Sequence, residues 1–422
     1  MELHPVLETD TIPNPELWFV VSAMGDCPSL RVGHTCAYIK GDDKHSGKVY
    51  VIGGANPSGP FNDTYVLDLQ TLSWDFFESP GLRPRYEHAA FVPRSEPTKI
   101  YVFGGADQSG NMNDVQVLDT TTKVWSCVSV QGCPPSARTH HTSAAVGDRL
   151  IIYSGGHCGA DPVGDRKVHC FDASTCSWEV IPVKGDSPKP RHGHSMVAVG
   201  NKVYLHGGMA GSTFYDDFHV LDLDKGSWAN VRRKGVYPSP RAAHNMVSFD
   251  SSIFVFGGMN QDGALDDMFK FSTESNIWSK VELQGPPPAC RLDFSVCTIE
   301  LKRTVRDDED KRSADLLVAG TQARDILERE LTKPGSASSQ GSRCGSESSF
   351  GPYVVNEHSL TDANNSNEST DQQEVEGATC DSPQSHGATA GETLQTYKLC
   401  LIHGGMDTEG QIFDDTLVYL LK

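Results

Sequence analysis

The chain lacks any run approaching the roughly 18 consecutive apolar residues of a membrane span. Its N-terminus, MELHPVLETDTIPNPEL, has neither a basic nor an apolar stretch, so a cleaved secretion signal is not expected either. Positive charge is scarce: 36 Lys and Arg stand against 55 Asp and Glu, a formal net charge of −19. Nucleic-acid phosphates and anionic membrane surfaces both need a net basic face, so neither nucleic-acid binding nor docking on an anionic membrane is expected, and with no apolar span neither is direct membrane insertion. The 12 cysteines form no Cys-x-x-Cys pair, and Cys36, Cys297 and Cys400 sit inside apolar runs. Such cysteines read as small buried hydrophobes in a reducing compartment, which points to the cytoplasm and to no metal or cofactor. His-Glu-x-x-His, Gly-x-Ser-x-Gly and phosphate-loop motifs are also absent.

Glycine is what the chain has, 40 residues of it, and its placement is periodic. An apolar run closing on Gly-Gly recurs six times, ending at Gly54, Gly105, Gly156, Gly208, Gly258 and Gly405. The successive gaps are 51, 51, 52, 50 and 147 positions. An Asp follows each doublet by nine positions: Asp63, Asp114, Asp165, Asp217, Asp267 and Asp414. Then comes a tryptophan in five copies, at Trp74, Trp125, Trp178, Trp228 and Trp278. An Arg-x-x-His element pairs Arg31 with His34, Arg85 with His88, Arg138 with His141, Arg191 with His194, and Arg241 with His244. The sixth copy keeps Arg291 but has Phe294 in the histidine position.

Each unit reads as four short strands, because β-branched and aromatic runs alternate with Gly, Pro, Asn and Asp clusters. Paired glycines permit positive φ where the chain leaves strand two. A tryptophan is too large for one four-stranded sheet to bury, so it must pack on a neighbouring unit. Trp18 precedes Arg31 by 13 positions, the Trp-to-Arg spacing of four later copies, while the last unit ends at LVYLLK without a tryptophan strand. The Trp18-Phe19-Val20-Val21 segment is therefore expected to supply the missing strand and shut a ring of six blades, removing exposed edges.

This period, with its Gly-Gly doublets and spaced tryptophans, resembles the kelch family. The expected fold is an all-β, six-bladed kelch β-propeller closed by an N-terminal strand. Its expected bounds are 16–301 with 394–422, after an N-terminal tail at 1–15. Between them, 302–393 holds 17 acidic and 9 basic residues and no tryptophan, and it is expected to be a disordered acidic insert in the last blade. Within it, DLLVAGTQARDILEREL at 315–331 has roughly helical apolar spacing and reads either as a partner-binding helix or as a transient one.

The arginines, Arg31, Arg85, Arg138, Arg191, Arg241 and Arg291, fall where inter-blade loops enter strand one. Two readings follow. They form a cationic ring for a partner's carboxylates, or they tie blades together through backbone carbonyls and the repeat Asp residues. The histidines read as packed strand-one residues. Because the polar groups repeat by blade rather than converging as unlike groups, an interaction protein is expected rather than an enzyme. The alternatives are a metal-dependent propeller enzyme using His140, His141, His192 and His194, and a scaffold for a different partner. Ubiquitin-ligase adaptors of the kelch family carry a further oligomerisation domain, for which a propeller starting by Trp18 leaves no room upstream, so that role is not expected unless the insert provides a docking segment.

The segments GDCPSLRVGHTCAY, GKVYVIGGANPSGPFND, LRPRYEHAAFVP, VFGGADQSGN, PRHGHSMVA and HGGMAGSTFYDD are more specific. They resemble the kelch proteins that act as effectors of Rab-family small GTPases, departing in a longer insert and in Phe294. That resemblance implies binding to a GTP-bound Rab GTPase, with other trafficking proteins as possible partners. It also implies a role in late-endosome to trans-Golgi transport and peripheral association with those membranes.

Overall fold

A computed structural model describes residues 4–139, 142–158, 161–306 and 392–422. The chain divides into two units, 1–304 with 394–422 and 305–393; of the second, only the ends of two strands are described.

The first unit is the expected six-bladed propeller. Blade one pairs Thr35–Ile39, Lys48–Ile52, Thr64–Asp68 and Ser73–Phe76 as an antiparallel meander from the axis outward. Blades two to five repeat the order. Blade six combines Ser295–Arg306, Glu392–His403 and Thr416–Leu420 with an outer strand from the other end of the chain, Trp18–Val21. There Trp18 lies opposite Tyr419, Phe19 opposite Val418 and Val20 opposite Leu417.

The buried apolar residues form clusters that each span two consecutive blades, the last one joining blade six to blade one. Every tryptophan faces the preceding blade. Trp125 joins Tyr50 and Ile52 of blade one, Trp228 stands 5.2 Å from Tyr153, and Trp18 stands 5.3 Å from Phe256. No blade has a core of its own. This is why isolated units of the repeat cannot be stable and why the ring must close.

The linker entering each blade first skirts that blade's outermost strand. Gly25 pairs in parallel with Trp74, and Gly235 with Trp278. A Cβ on either glycine would stand 2.1 Å from that tryptophan's carbonyl oxygen, so only glycine fits. In blade six Val6–Leu7 adds a parallel strand beside Val20 and Val21. The outer edges are thus partly covered.

Three details differ from expectation. Strand one of blade six does not end near Leu301 but runs to Arg306, and strand two begins at Glu392. The extension is held by its neighbours: Ile299 and Leu301 are buried, Lys302 N–H donates to Ser46 Oγ at 2.9 Å, and Arg303 donates to the Glu8 carbonyl at 3.3 Å. The rest of the expected insert, with the 315–331 segment, lies outside the described residues, as do His140 and His141.

The second difference is in blade three, where the Gly-Gly position is occupied by Ser154-Gly155, not Gly155-Gly156. Ser154 takes φ 54°, matching 58° at Gly53 and 66° at Gly104. A serine in that region is strained, but its hydroxyl donates to the Arg191 carbonyl and accepts from the Arg191 N–H, both at 2.8 Å. Third, the strand two-to-three loops of blades three and six are one residue longer than in blade one. Val163 N–H reaches back to Gly155 and Phe413 N–H to Gly405, whereas Phe61 N–H reaches Gly54.

Replacing Trp18 with Ala should lower unfolding free energy by about 3–5 kcal/mol, because it empties the junction between blades five and six. A urea midpoint equal to the parent's would count against ring closure by this strand.

Candidate functional site

Where each linker turns down the axis, its arginine enters the blade interior. All six are fully buried: Arg31, Arg85, Arg138, Arg191, Arg241 and Arg291 each have 0% exposure. The guanidinium spans its own blade. Arg31 Nη1 donates to the Gly53 carbonyl at 2.8 Å and to Asp63 Oδ1 at 2.7 Å. Arg241 does the same with Gly257 and Asp267, and Arg191 with Gly207 and Asp217. Arg85 adds Gln116 to Asp114. Blade three is looser: Arg138 and Asp165 stand 3.7 Å apart, and Asp165 lies 2.6 Å from His169 Nε2. In blade six the longer loop makes the partner Asp415, not the expected Asp414.

The backbone carbonyl of the same arginine serves the preceding blade. Gly54 N–H donates to Arg85 C=O, Gly105 to Arg138, Gly155 to Arg191, Gly208 to Arg241 and Gly258 to Arg291, at 2.8–3.1 Å. Gly405 N–H donates to Arg31 C=O at 3.3 Å and completes the circuit. The arginines are therefore junctions between blades. The cationic ring expected for a partner's carboxylates is not presented: the guanidinium charge is enclosed and its hydrogen bonds are directed inward.

A cavity of about 240 Å³ lies on the axis between the strand ones. Among the described residues, its lining includes the residue two positions after five of the arginines. Gly33, Glu87, Gly193, Ala243 and Asp293 all have positive φ there. They are linked head to tail: Glu87 N–H donates to Gly33 C=O, Gly33 N–H to Asp293, Asp293 N–H to Ala243, and Ala243 N–H to Gly193. At the five described positions the side chains are short or acidic, so there the chemistry is the reverse of the expected ring.

The repeat histidines are packed between blades. His34, His88, His194 and His244 are 4% exposed or less. His34 Nε2 lies 3.1 Å from the His403 carbonyl, and His244 Nε2 lies 3.0 Å from His206 Nδ1. Phe294 fills the same place against Phe256. Burial drives the His206 and His403 imidazoles down to about 3 and holds His34 and His244 well below their usual range. Burial opposes ionisation of Asp217 as well, but hydrogen bonds from Arg191 and His219 outweigh it and hold that carboxyl well below its usual range. Among the described residues, no group of three or more His, Cys, Asp or Glu is arranged to hold a metal ion. Among them, no helix is long and apolar enough to cross a membrane.

Two outcomes test this geometry. Removing the Asp415 carboxylate (Asp415→Ala) leaves Arg291 buried without its counter-charge. It should cost about 2 kcal/mol or more, short of a fully buried pair because the carboxylate side is partly wet. Asp414→Ala should be nearly neutral, and equal urea midpoints for the two variants would refute the pairing. Stability should also fall with acid. Unfolded histidine titrates near about 6.5, so stability tied to neutral rings is complete above that pH and is lost progressively toward the folded value. Each such ring steepens the loss by up to about 1.4 kcal/mol per pH unit. His206→Gln should flatten the dependence of the urea midpoint between about pH 6.5 and 5; an unaltered slope would exclude it as a source.

A family model described as the KLHDC2/KLHL20/DRC7 Kelch-repeats domain matches residues 43–258, and one described as Kelch motif matches 240–282. The Rab9 effector protein with kelch motifs of Bos taurus is 50% identical over 219 residues, covering 51% of this chain and 59% of that protein. The Homo sapiens protein of the same name is 49% identical over 220 residues, covering 51% and 59%. That of Danio rerio is 43% identical over 233 residues, covering 52% and 66%. The chain thus spans about three fifths of the length of the bovine and human relatives it matches.

Proposed function

The chain belongs to the kelch-repeat family, and from that premise we propose that it is a non-enzymatic interaction propeller, an effector that binds a Rab-family small GTPase in its GTP-bound state. The observation that carries the non-enzymatic part is the use made of the repeated polar groups. The six arginines with their aspartates, and the described strand-one histidines, are absorbed in holding and joining blades, which leaves them no part in a convergent catalytic set. The relatives named as Rab9 effectors supply the partner class. In this reading the protein acts in transport from late endosomes to the trans-Golgi network and reaches those membranes through its partners, with no cofactor of its own.

Effector behaviour means preference for one nucleotide state, which by linkage is a difference in affinity between two conformations of the GTPase. Immobilised Rab GTPase loaded with a non-hydrolysable GTP analogue should retain the chain at least about tenfold better than the GDP form, a difference of roughly 1.4 kcal/mol. Equal retention by both forms would reject the effector reading.

A further inference from the structure

A side chain present in every blade serves the ring; a surface group that breaks the repeat is where a specific contact can be grafted. The linker into blade five breaks it most. Its residues Arg232-Arg233-Lys234 are the only three consecutive basic residues in a chain of net charge −19. Gly235-Val236-Tyr237 follows, and all six residues are exposed. The positions matching Val236 and Tyr237 are Asp26 and Cys27, Leu82 and Arg83, Cys133 and Pro134, Asp186 and Ser187, and Pro286 and Pro287 in the other linkers. Only blade five shows two bulky apolar side chains to solvent there.

The patch is held in shape. Trp278 N–H donates to Lys234 C=O at 2.9 Å, and Val236 N–H donates to Trp278 C=O at 3.0 Å. Ile277 lies beside Gly235, so close that a Cβ there would stand 3.0 Å from Ile277 Cγ2. Val236 at 61%, Ile277 at 48% and Tyr237 at 43% exposure thus form one apolar surface on the blade rim. Arg233 sits over the Tyr237 ring at 5.2 Å and is steadied by an ion pair with Asp216. A tyrosine and an arginine fixed before contact, beside aliphatic surface, are the residue types that dominate interface energies.

We propose that this rim of blade five receives the GTPase, through an apolar patch on that partner ringed by carboxylates. The claim rests on the GTPase reading above. Charge selects the occupant: the bulk of this chain repels an acidic face, whereas Arg232 and Lys234 flank this apolar rim with the charge that attracts one. An acidic membrane could meet the same chemistry, and the experiment separates the two.

The full chain would be compared with Arg232→Glu/Lys234→Glu, with Val236→Ser/Tyr237→Ala, and with Phe76→Ser on the blade-one rim as control. Each would be titrated against GTP-loaded Rab GTPase and sedimented with vesicles containing phosphatidylserine. Both blade-five variants should bind the GTPase at least about tenfold more weakly with unchanged thermal midpoints, while Phe76→Ser binds like the parent. Parent-like binding by both blade-five variants overturns the surface while leaving the GTPase reading intact. A parent chain that fails to bind the GTPase overturns that reading and this proposal with it. Loss of vesicle sedimentation in the variants, with GTPase binding preserved, overturns the proposal in favour of a lipid surface.

Discussion

The rest of the structure depends on one two-sided residue. Each buried arginine donates its guanidinium hydrogen bonds to its own blade and accepts, through its carbonyl, a glycine or equivalent N–H from the blade before it. Enclosing a cation is unfavourable unless its donors are met and its charge is balanced. Here both conditions hold only when the doublet, the loop Asp and the next strand are all in register. The arginine is therefore a geometric constraint more than a source of net stability. The apolar clusters between blades supply the driving force, and the arginines select the one arrangement in which six blades agree.

Much of this architecture was legible in the sequence. The period, the strand order within a blade and the crossing of Trp18 to the last blade all follow from spacing, because a repeat imposes its geometry on every copy. What escaped is what spacing cannot encode. Ser154-Gly155 was misread because three small residues in a row admit two registers, and only the φ of Ser154 distinguishes them. Asp414 was preferred to Asp415 because a fixed offset of nine ignores one added loop residue. The direction in which the arginines point was also hidden: two readings gave the same sequence pattern, and the choice between them rests on burial. The extension to Arg306 is not legible because charge and polarity begin at Lys302, although the neighbouring blade and the N-terminal segment hydrogen-bond Lys302 and Arg303.

The same regularity bears on function. Repetition accounts for the polar residues that first attract attention, the arginines and histidines, and it assigns them to structure. Information about a partner must then lie in departures from the repeat, and these are easiest to see once the blades are superposed by position. The Arg-Arg-Lys linker was present in the sequence throughout, but its interest depends on knowing that its neighbours are exposed and that the other five linkers lack its character.

Blade six joins residues 18–21 to residues 416–420 in one sheet. During synthesis the Trp18–Val21 strand therefore cannot meet its antiparallel partner until residues 416–420 have been made. Contacts so far apart in sequence form slowly and late. During that interval that strand offers an open backbone edge and a bare tryptophan to whatever is nearby. Synthesis is thus the moment of greatest vulnerability, and lesions that delay or remove the final strand should act chiefly through misassembly of nascent chains.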